Sequence, residues 1–220
     1  CRPTTFWQSR SRPARPPRGP NHTWCLATGR PGGTGVPSTG LLSVGGKSPL
    51  TGGIKESNAG GIAGDAMARL GLRAIIVEGA PKSDALYLLK VGRDASELIP
   101  AEEYRGLGTY ALAERLHERF GKGIALICIG PAGERKMAIA GVAVSDKDGV
   151  PSRFAGRGGM GGLMGSKGIK AVVLEEVKGS VPVVDKQALR AAQKTFTAAL
   201  LENPVTGKAS PELGTIVSWD

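Results

Sequence analysis

The chain has 220 residues, of which 40% are hydrophobic and 22% are charged, and its formal net charge is +10. This length and composition are typical of one globular domain with a single core. No apolar run approaches the roughly 18 residues of a membrane-spanning helix, and the first residues lack the apolar stretch of a secretory signal. We therefore expect no membrane partner and a cytoplasmic location.

The positive charge is concentrated near the start of the chain. Eight of the 29 basic residues precede Glu56, the first acidic residue, so the later part is close to neutral. Residues 1–24 are basic and rich in Pro and Arg, a composition that predicts disorder. Two interpretations of this segment stay open: a frameshift or fragment end, or an arm that contacts nucleic acid through its phosphates. We expect the first, and do not expect nucleic acid as a partner.

From residue 60 onward, the hydrophobic pattern predicts alternating helices and strands, which indicates an α+β fold. In the predicted helix Gly60–Leu72, the spacing of apolar residues places Met67 and Leu70 on the inner face. Gly121 is expected to end the helix predicted at Thr109–Phe120. The third helix begins after Asp185 as its N-cap. The predicted helices are Gly60–Leu72, Thr109–Phe120 and Lys186–Leu201; the predicted strands are Arg73–Glu78, Ala85–Val91, Ile124–Ile129, Ala138–Val144 and Lys170–Glu175.

Two loops are rich in glycine. The segment Ala155–Ala171 has seven glycines among seventeen residues and ends on a basic SKGIK, and Ser57–Gly61 (SNAGG) has the same character. Glycine reaches positive φ and has no Cβ, so such loops can turn backbone N–H groups toward phosphate oxygens. We interpret the longer segment as one that lets the backbone approach a ligand rather than as core packing, with a flexible linker as the alternative.

Neither common nucleotide motif accounts for these glycines. Gly156, Gly158 and Gly161 satisfy G-x-G-x-x-G, but a polar PSRFA precedes them and about seven residues follow, too few for a crossover helix. Gly46-Lys47-Ser48 imitates the end of a Walker loop, yet its first glycine would fall at Leu41. The sequence therefore excludes both motifs.

The cysteines and histidines do not form a catalytic or cluster-binding motif. Cys1, Cys25 and Cys128 are far apart with no C-x-x-C, which favours reduced thiols, and Cys128 is expected to be a small buried side chain. His22 lies in the basic segment, and His117 is expected on the polar face of its helix. We predict no catalytic residue in this chain.

Four segments, taken in order, resemble the N-terminal domain of the aldehyde ferredoxin oxidoreductases. They are KSPLTGGIKESNAGG (47–61), RAIIVEGAP (73–81), IGPAGE (129–134) and AGRGGMGGLMGSKGIKAVVLE (155–175). The similarity runs from about Thr28 to the end. It implies mixed and antiparallel sheets with approximate two-fold symmetry and flanking helices. Residues 25–180 would then be the tungstopterin-binding domain, and 181–220 a helix and the start of a linker to a following domain.

The resemblance also implies a function. The family oxidises aldehydes to carboxylic acids with ferredoxin as electron acceptor, using tungsten between two pyranopterins. A [4Fe-4S] cluster is bound by cysteines of later domains, so this chain alone is expected to be inactive. Tungsten versus molybdenum and the identity of the aldehyde stay open, and a homodimer is a family expectation. A truncated, non-catalytic remnant and a phosphate- or nucleic-acid-binding module using the basic arm are the alternatives.

The family motifs assign site residues by position. A magnesium ion between the two cofactor phosphates would take the backbone carbonyls of Asn58 and Phe154, where Phe154 replaces a small residue. The other expected cofactor contacts are Ala59, Gly60, Arg153, Gly156 and Arg157. The chain departs from the family at Leu41, where the family has an arginine that contacts the cofactor, and at Ala27–Gly33. One pterin is expected to be held less well.

Overall fold

The computed structural model describes residues 22–179 and 181–214. Most of the basic segment 1–24, including Cys1, lies outside the described residues. His22 and Trp24, however, are buried, and Trp24 begins a strand. The predicted boundary after residue 24 is corrected, because the folded part of the chain includes 22–24.

The first sheet has four antiparallel strands in the order β3-β2-β1-β4. Trp24 pairs with Gly46 on one side and Val77 on the other, which gives the register of the two ladders that β1 forms. The strands are β1 (Trp24–Thr28), β2 (Leu42–Lys47), β3 (Ile54–Ala59) and β4 (Ala74–Val77). In this sheet, β3 and β4 are the edge strands.

The second sheet has six strands in the order β6-β5-β10-β7-β8-β9. The pairing of β10 with β5 is parallel and the other pairings are antiparallel. The strands are β5 (Tyr87–Val91), β6 (Ser96–Pro100), β7 (Ala125–Cys128), β8 (Val142–Val144), β9 (Arg153–Ala155) and β10 (Ile169–Leu174). With flanking helices, the two sheets confirm the α+β class.

Two of the predicted helices are confirmed closely. The helix at Thr109–Phe120 has its predicted bounds, and Gly121 ends it with a φ of 90°. At the start of the last long helix, the Asp185 carboxylate accepts from the Ala188 N–H at 2.8 Å. The helices are α1 (Ala63–Arg69), α2 (Thr109–Phe120), α3 (Pro131–Glu134), α4 (Met160–Ser166), α5 (Lys186–Glu202) and α6 (Ser210–Leu213), with a 3₁₀ turn at Glu102–Tyr104 and a π segment at Val205–Ala209. None of the described helices is long and apolar enough to cross a membrane.

Other predicted elements are shorter in the structure than expected. α1 begins three residues later than predicted, because Gly61 has a φ of 99° and a close approach to the Ser145 carbonyl. Its inner face is confirmed, since Met67 and Leu70 are buried. The strand predicted at Ala138–Val144 is reduced to β8. Strands β1, β2, β3, β6 and β9 and the helices α3, α4 and α6 were not predicted.

The second sheet separates two hydrophobic cores. Ala125 and Ile127 of β7 point into the core between the sheets, whereas Leu126 and Cys128 point into the core beneath α2. This alternation follows from the two-residue period of a strand. Cys128 is buried as expected, and burial raises the pKa of its thiol to about 12.

The glycine-rich segment serves core packing over much of its length, contrary to the prediction. Gly161, Gly162 and Gly165 lie in the buried helix α4, where a Cβ at each would approach backbone carbonyls to within less than 3.0 Å. Gly165 faces the Gly133 carbonyl of α3. The absence of side chains therefore lets α4 lie directly on neighbouring backbone, and only the start of the segment stays exposed.

The glycine-rich segment does not form a dinucleotide-binding βαβ unit, although two of the expectations behind that prediction were wrong. A strand does precede the glycines (β9), and a helix does follow them (α4). The strand order and pairings make β9 antiparallel to β10, so α4 does not connect two parallel strands as a βαβ crossover does.

Lys167 follows α4 and lies in an unusual environment for a lysine. It is buried, and its Nζ donates to the carbonyls of His22 and, at 2.7 Å, Gly79. Burial lowers the pKa of Lys167 to about 8, from 10.5, against a smaller opposing effect of Glu78. Between these values, the unfolded chain keeps a proton that the folded chain has lost. The free energy of unfolding should therefore rise as the pH passes above 8.

The buried thiols set an upper limit to this rise. Burial raises the pKa of Cys25 from 9.0 to about 11, so above pH 9 the unfolded chain loses thiol protons that the folded chain keeps. We expect urea unfolding to show stability increasing from pH 8 to 9 in the wild-type chain, and no such increase in Lys167→Met. An equal slope in both proteins would refute the assignment to Lys167.

Candidate cofactor site

The two edge strands β3 and β9 lie against each other, so the two sheets meet at the residues that the motifs single out. The Arg157 N–H donates to the Ser57 Oγ at 3.2 Å, which joins the two glycine-rich loops directly. Asn58–Gly60 and Arg153–Arg157 are therefore brought together, although about a hundred residues of sequence separate them. Their roles as cofactor contacts stay predictions.

In the second half of β3, buried and exposed side chains alternate. Ser57 and Ala59 are buried, and Ala59 belongs to the core between the sheets. Asn58 lies on the opposite, exposed face, directly across from Ser43 of β2. The buried pair anchors the strand, while the asparagine between them is left on the surface.

Phe154 lies in a similar position on β9. Its neighbour Ala155 is fully buried in the core between the sheets, whereas Phe154 is 51% exposed and pairs across from Ala143. Successive side chains of a strand point to opposite faces, so the phenyl ring lies on the other face from Ala155. A role that uses only the Phe154 carbonyl does not depend on this ring.

Ser48 supports the loop that follows β9, a role that no sequence pattern predicted. Its hydroxyl is fully buried, donates to the Gly158 carbonyl at 2.7 Å, and accepts from the N–H groups of Leu50 and Thr51 at 3.2 and 3.0 Å. Gly158 has a φ of 71° and lies against the Lys55 side chain. The Ser-Pro pair in KSPLTG signals a turn, but only the fold shows what that turn supports.

A second turn leads into β9. The Asp146 carboxylate accepts from the N–H groups of Asp148 and Val150 at 3.0 and 3.1 Å, and from the Ser152 hydroxyl at 2.6 Å. The hydrogen bond from Ser152 is the main cause that lowers the pKa of Asp146 below 3.8, and the charge of Arg153 contributes. This turn therefore fixes the approach of the chain to Arg153.

The surface between the two edges suits a phosphate-bearing ligand. A Cβ built on Gly60 or Gly156 meets no atom within 4 Å, so a ligand can approach the backbone there. The side chains of Lys55, Arg153 and Arg157 are exposed around it and supply positive charge. Across residues 22–179 and 181–214, no group of three or more His, Cys, Asp or Glu side chains is placed to hold a metal ion.

The structure also shows where the two departures from the family motif, Leu41 and the segment Ala27–Gly33, lie. Leu41, where the resemblance implies an arginine, is 53% exposed immediately before β2 and supplies no charge. The segment Ala27–Gly33 is held by the Asp65 carboxylate, which accepts from the Gly33 N–H at 2.6 Å. Thr28 Oγ1 is buried there with no hydrogen-bond partner among the described residues. Position 41 therefore supplies no positive charge, and weaker binding of one pterin stays a prediction.

A family model described as the N-terminal domain of aldehyde ferredoxin oxidoreductase matches residues 4–176. The chain belongs to the aldehyde ferredoxin oxidoreductase family. Tungsten-containing aldehyde ferredoxin oxidoreductases of Pyrococcus furiosus and Pyrococcus horikoshii are 34% and 36% identical to it over 206 and 202 residues. These matches cover 93% and 91% of this chain but 33% and 32% of the relatives. The chain thus spans about a third of the length of these family members.

Other similar proteins carry different names. The WOR-like subunit of an aliphatic sulfonate oxidoreductase from Pyrococcus furiosus is 32% identical over 170 residues, which are 70% of this chain and 26% of that protein. The solved active site complex BamBC of benzoyl coenzyme A reductase, with 1,5 dienoyl-CoA, matches with a TM-score of 0.79 and 25% identity. The match covers 90% of this chain and 30% of the chain of that complex. Proteins similar to this aldehyde ferredoxin oxidoreductase family member therefore include oxidoreductases named for several substrates.

Proposed function

We propose that this chain is the cofactor-binding part of a tungsten or molybdenum bis-pterin oxidoreductase that oxidises aldehydes to carboxylic acids, with ferredoxin as electron acceptor. When bound, the metal centre supplies the two-electron oxidation. The observation that carries the proposal is the meeting of β3 and β9, which places two family motifs at one exposed, cationic surface. Ferredoxin, the aldehyde, a homodimer, the [4Fe-4S] cluster and a cytoplasmic location belong to the whole enzyme and are parts of the same proposal.

In this proposal, the chain binds and orients the cofactor and carries out no chemical step itself. Arg153 and Arg157 donate charge-assisted hydrogen bonds to phosphate or pterin oxygens. The carbonyls of Asn58 and Phe154 suit magnesium, which prefers oxygen ligands in octahedral geometry. Ala59, Gly60 and Gly156 keep the backbone accessible. Residues 25–180 would act as the binding domain, and 181–220 would lead to the next one.

The proposal is tested by the cofactor content of the purified chain. We would express it in an anaerobic host supplied with tungstate, then measure tungsten by mass spectrometry and pterin by fluorescence after oxidation. Arg157→Ala should weaken pterin retention about tenfold to a hundredfold, the effect of one hydrogen bond to a charged group. Lys82→Ala, which removes an exposed cation away from this surface, should leave retention unchanged.

Two results would contradict the proposal. Pterin absent from the wild-type chain would favour the non-catalytic remnant, an alternative that Leu41 supports because it removes a cationic contact. Equal loss of pterin from both variants would show that net charge, rather than this surface, holds the ligand. The basic arm of the nucleic-acid alternative lies outside the described residues.

A further inference from the structure

The two sheets meet at one pair of edges and leave a groove at the other pair. Strands β3 and β9 lie against each other, whereas β4 and β6 end the two sheets on the opposite side. The groove there has a volume of about 670 Å³, and most of the side chains that line it are apolar. A cavity of this size, mainly apolar with a few polar groups, is typical of a site for a small molecule.

Exposed apolar side chains form the two walls of the groove. Ile76 of β4 is 44% exposed and Leu98 of β6 is 57% exposed. Ile169, which is almost fully buried in the core between the sheets, also lines the groove. The groove is therefore continuous with the hydrophobic core, and a hydrocarbon chain bound there would remove apolar surface of both walls from water.

A buried ammonium group lies in this apolar groove. Lys167 lines the groove and is 4% exposed. Its Nζ donates to the carbonyls of His22 and Gly79, and Gly79 lines the groove as well. Burial lowers the pKa of Lys167 more than the charge of Glu78 raises it. The surroundings therefore disfavour the cation, and a further negative charge in the groove would stabilise it.

The walls and the ammonium group together indicate the class of ligand. Apolar walls favour an aliphatic chain, and an ammonium group favours an anion that can accept a charge-assisted hydrogen bond. Lys167 is the one cationic side chain among the described residues that line the groove. A carboxylate has one negative charge, whereas a phosphate monoester has about −1.5 to −2 at pH 7. A carboxylate is therefore the better match to a single ammonium group.

We propose that this groove binds a linear aliphatic carboxylate, with its chain against Ile76 and Leu98 and its carboxylate group on the Lys167 ammonium group. Binding involves no covalent step. None of the residues that line the groove belongs to the candidate cofactor site, so this inference does not depend on the proposed function.

Two ligands of equal chain length test the role of the charge. We would titrate the chain at pH 7 with octanoate and with 1-octanol and measure both affinities by calorimetry. The wild-type chain should bind octanoate about tenfold to a hundredfold more tightly than 1-octanol, the effect of one hydrogen bond to a charged group. Lys167→Met removes the charge and keeps an apolar side chain of similar length, so it should bind the two ligands equally.

A second variant tests the groove and leaves Lys167 unchanged, so the test does not depend on the folding of Lys167→Met. Leu98→Gln alters an exposed wall residue and should weaken both ligands about fivefold, through the loss of apolar contact. Ile139→Gln is the matched control, because Ile139 is 74% exposed and does not line the groove. It should leave both affinities unchanged.

Three results would overturn the proposal. Equal affinity of the wild-type chain for octanoate and 1-octanol would exclude the contact with Lys167. Equal effects of Leu98→Gln and Ile139→Gln would place the ligand outside the groove. If the wild-type chain binds neither ligand, the carboxylate site is refuted; sedimentation as a dimer that Leu98→Gln dissociates would then identify a second copy of the chain as the occupant.

Discussion

Glu134→Ala should lower the free energy of unfolding by about 3–5 kcal/mol, the usual loss when one partner of a buried ion pair is removed. Lys170 is fully buried in β10, and its Nζ donates to the Glu134 carboxylate and, at 2.8 Å, to the Leu107 carbonyl. The same carboxylate accepts from the Gly106 N–H at 2.9 Å. Its loss leaves the buried ammonium group without its counter-charge and the exposed Gly106 N–H without this acceptor. Denaturant unfolding measures the effect.

Two control variants separate this effect from ordinary ion pairing. Glu103→Ala breaks an exposed ion pair, 2.8 Å from Arg119, and should cost less than about 1 kcal/mol. Lys170→Met combined with Glu134→Leu replaces the buried charges with apolar groups and should recover much of the stability lost in Glu134→Ala. If Glu103→Ala and Glu134→Ala cost the same, the buried pair has no special role in this fold.

Gly165→Ala should destabilise the chain by about 3 kcal/mol, at the upper end of the usual cost of overpacking. A Cβ at this position would overlap the Gly133 carbonyl oxygen, and backbone cannot move aside as a flexible side chain can. The expected result is a lower midpoint of thermal and denaturant unfolding, with α4 displaced from α3.

Gly156→Ala is the matched control from the same glycine-rich segment. Gly156 is exposed, has an ordinary negative φ, and a Cβ there meets no atom within 4 Å, so stability should stay within about 0.5 kcal/mol of the wild type. Under the proposed function, pterin retention should fall in this variant. Equal destabilisation of both variants would contradict the division of the segment into a buried helix and an exposed ligand loop.

The elements that were predicted well depend on sequence patterns within the element itself. In α2, Leu112 and Leu116 recur at helical spacing and Gly121 ends the helix, so no distant contact is needed to place it. Apart from Lys170, strand β10 is apolar and rich in β-branched residues, and it was predicted within one residue at each end. The resemblance to the family motifs also identified two loops that are far apart in the sequence and that the fold brings together.

The missed features depend on distant partners. Strand β3 reads IKESNA, with little apolar alternation, and forms because β2 offers it a ladder. α4 was missed because three of its seven residues are glycine, which disfavours helix in isolation, and its stability comes from burial. Ser48 supports Gly158, to which no local sequence pattern connects it.

We expect the cofactor to lie where β3 meets β9. A crystal structure of the tungstate-grown chain, with anomalous diffraction recorded at a tungsten absorption edge, would locate it. Pterin density is expected over Gly60 and Gly156, within hydrogen-bond distance of Arg153 and Arg157, with an anomalous peak joined to that density. A peak elsewhere, such as in the apolar groove of 670 Å³ between Ile76 and Leu98, would contradict it.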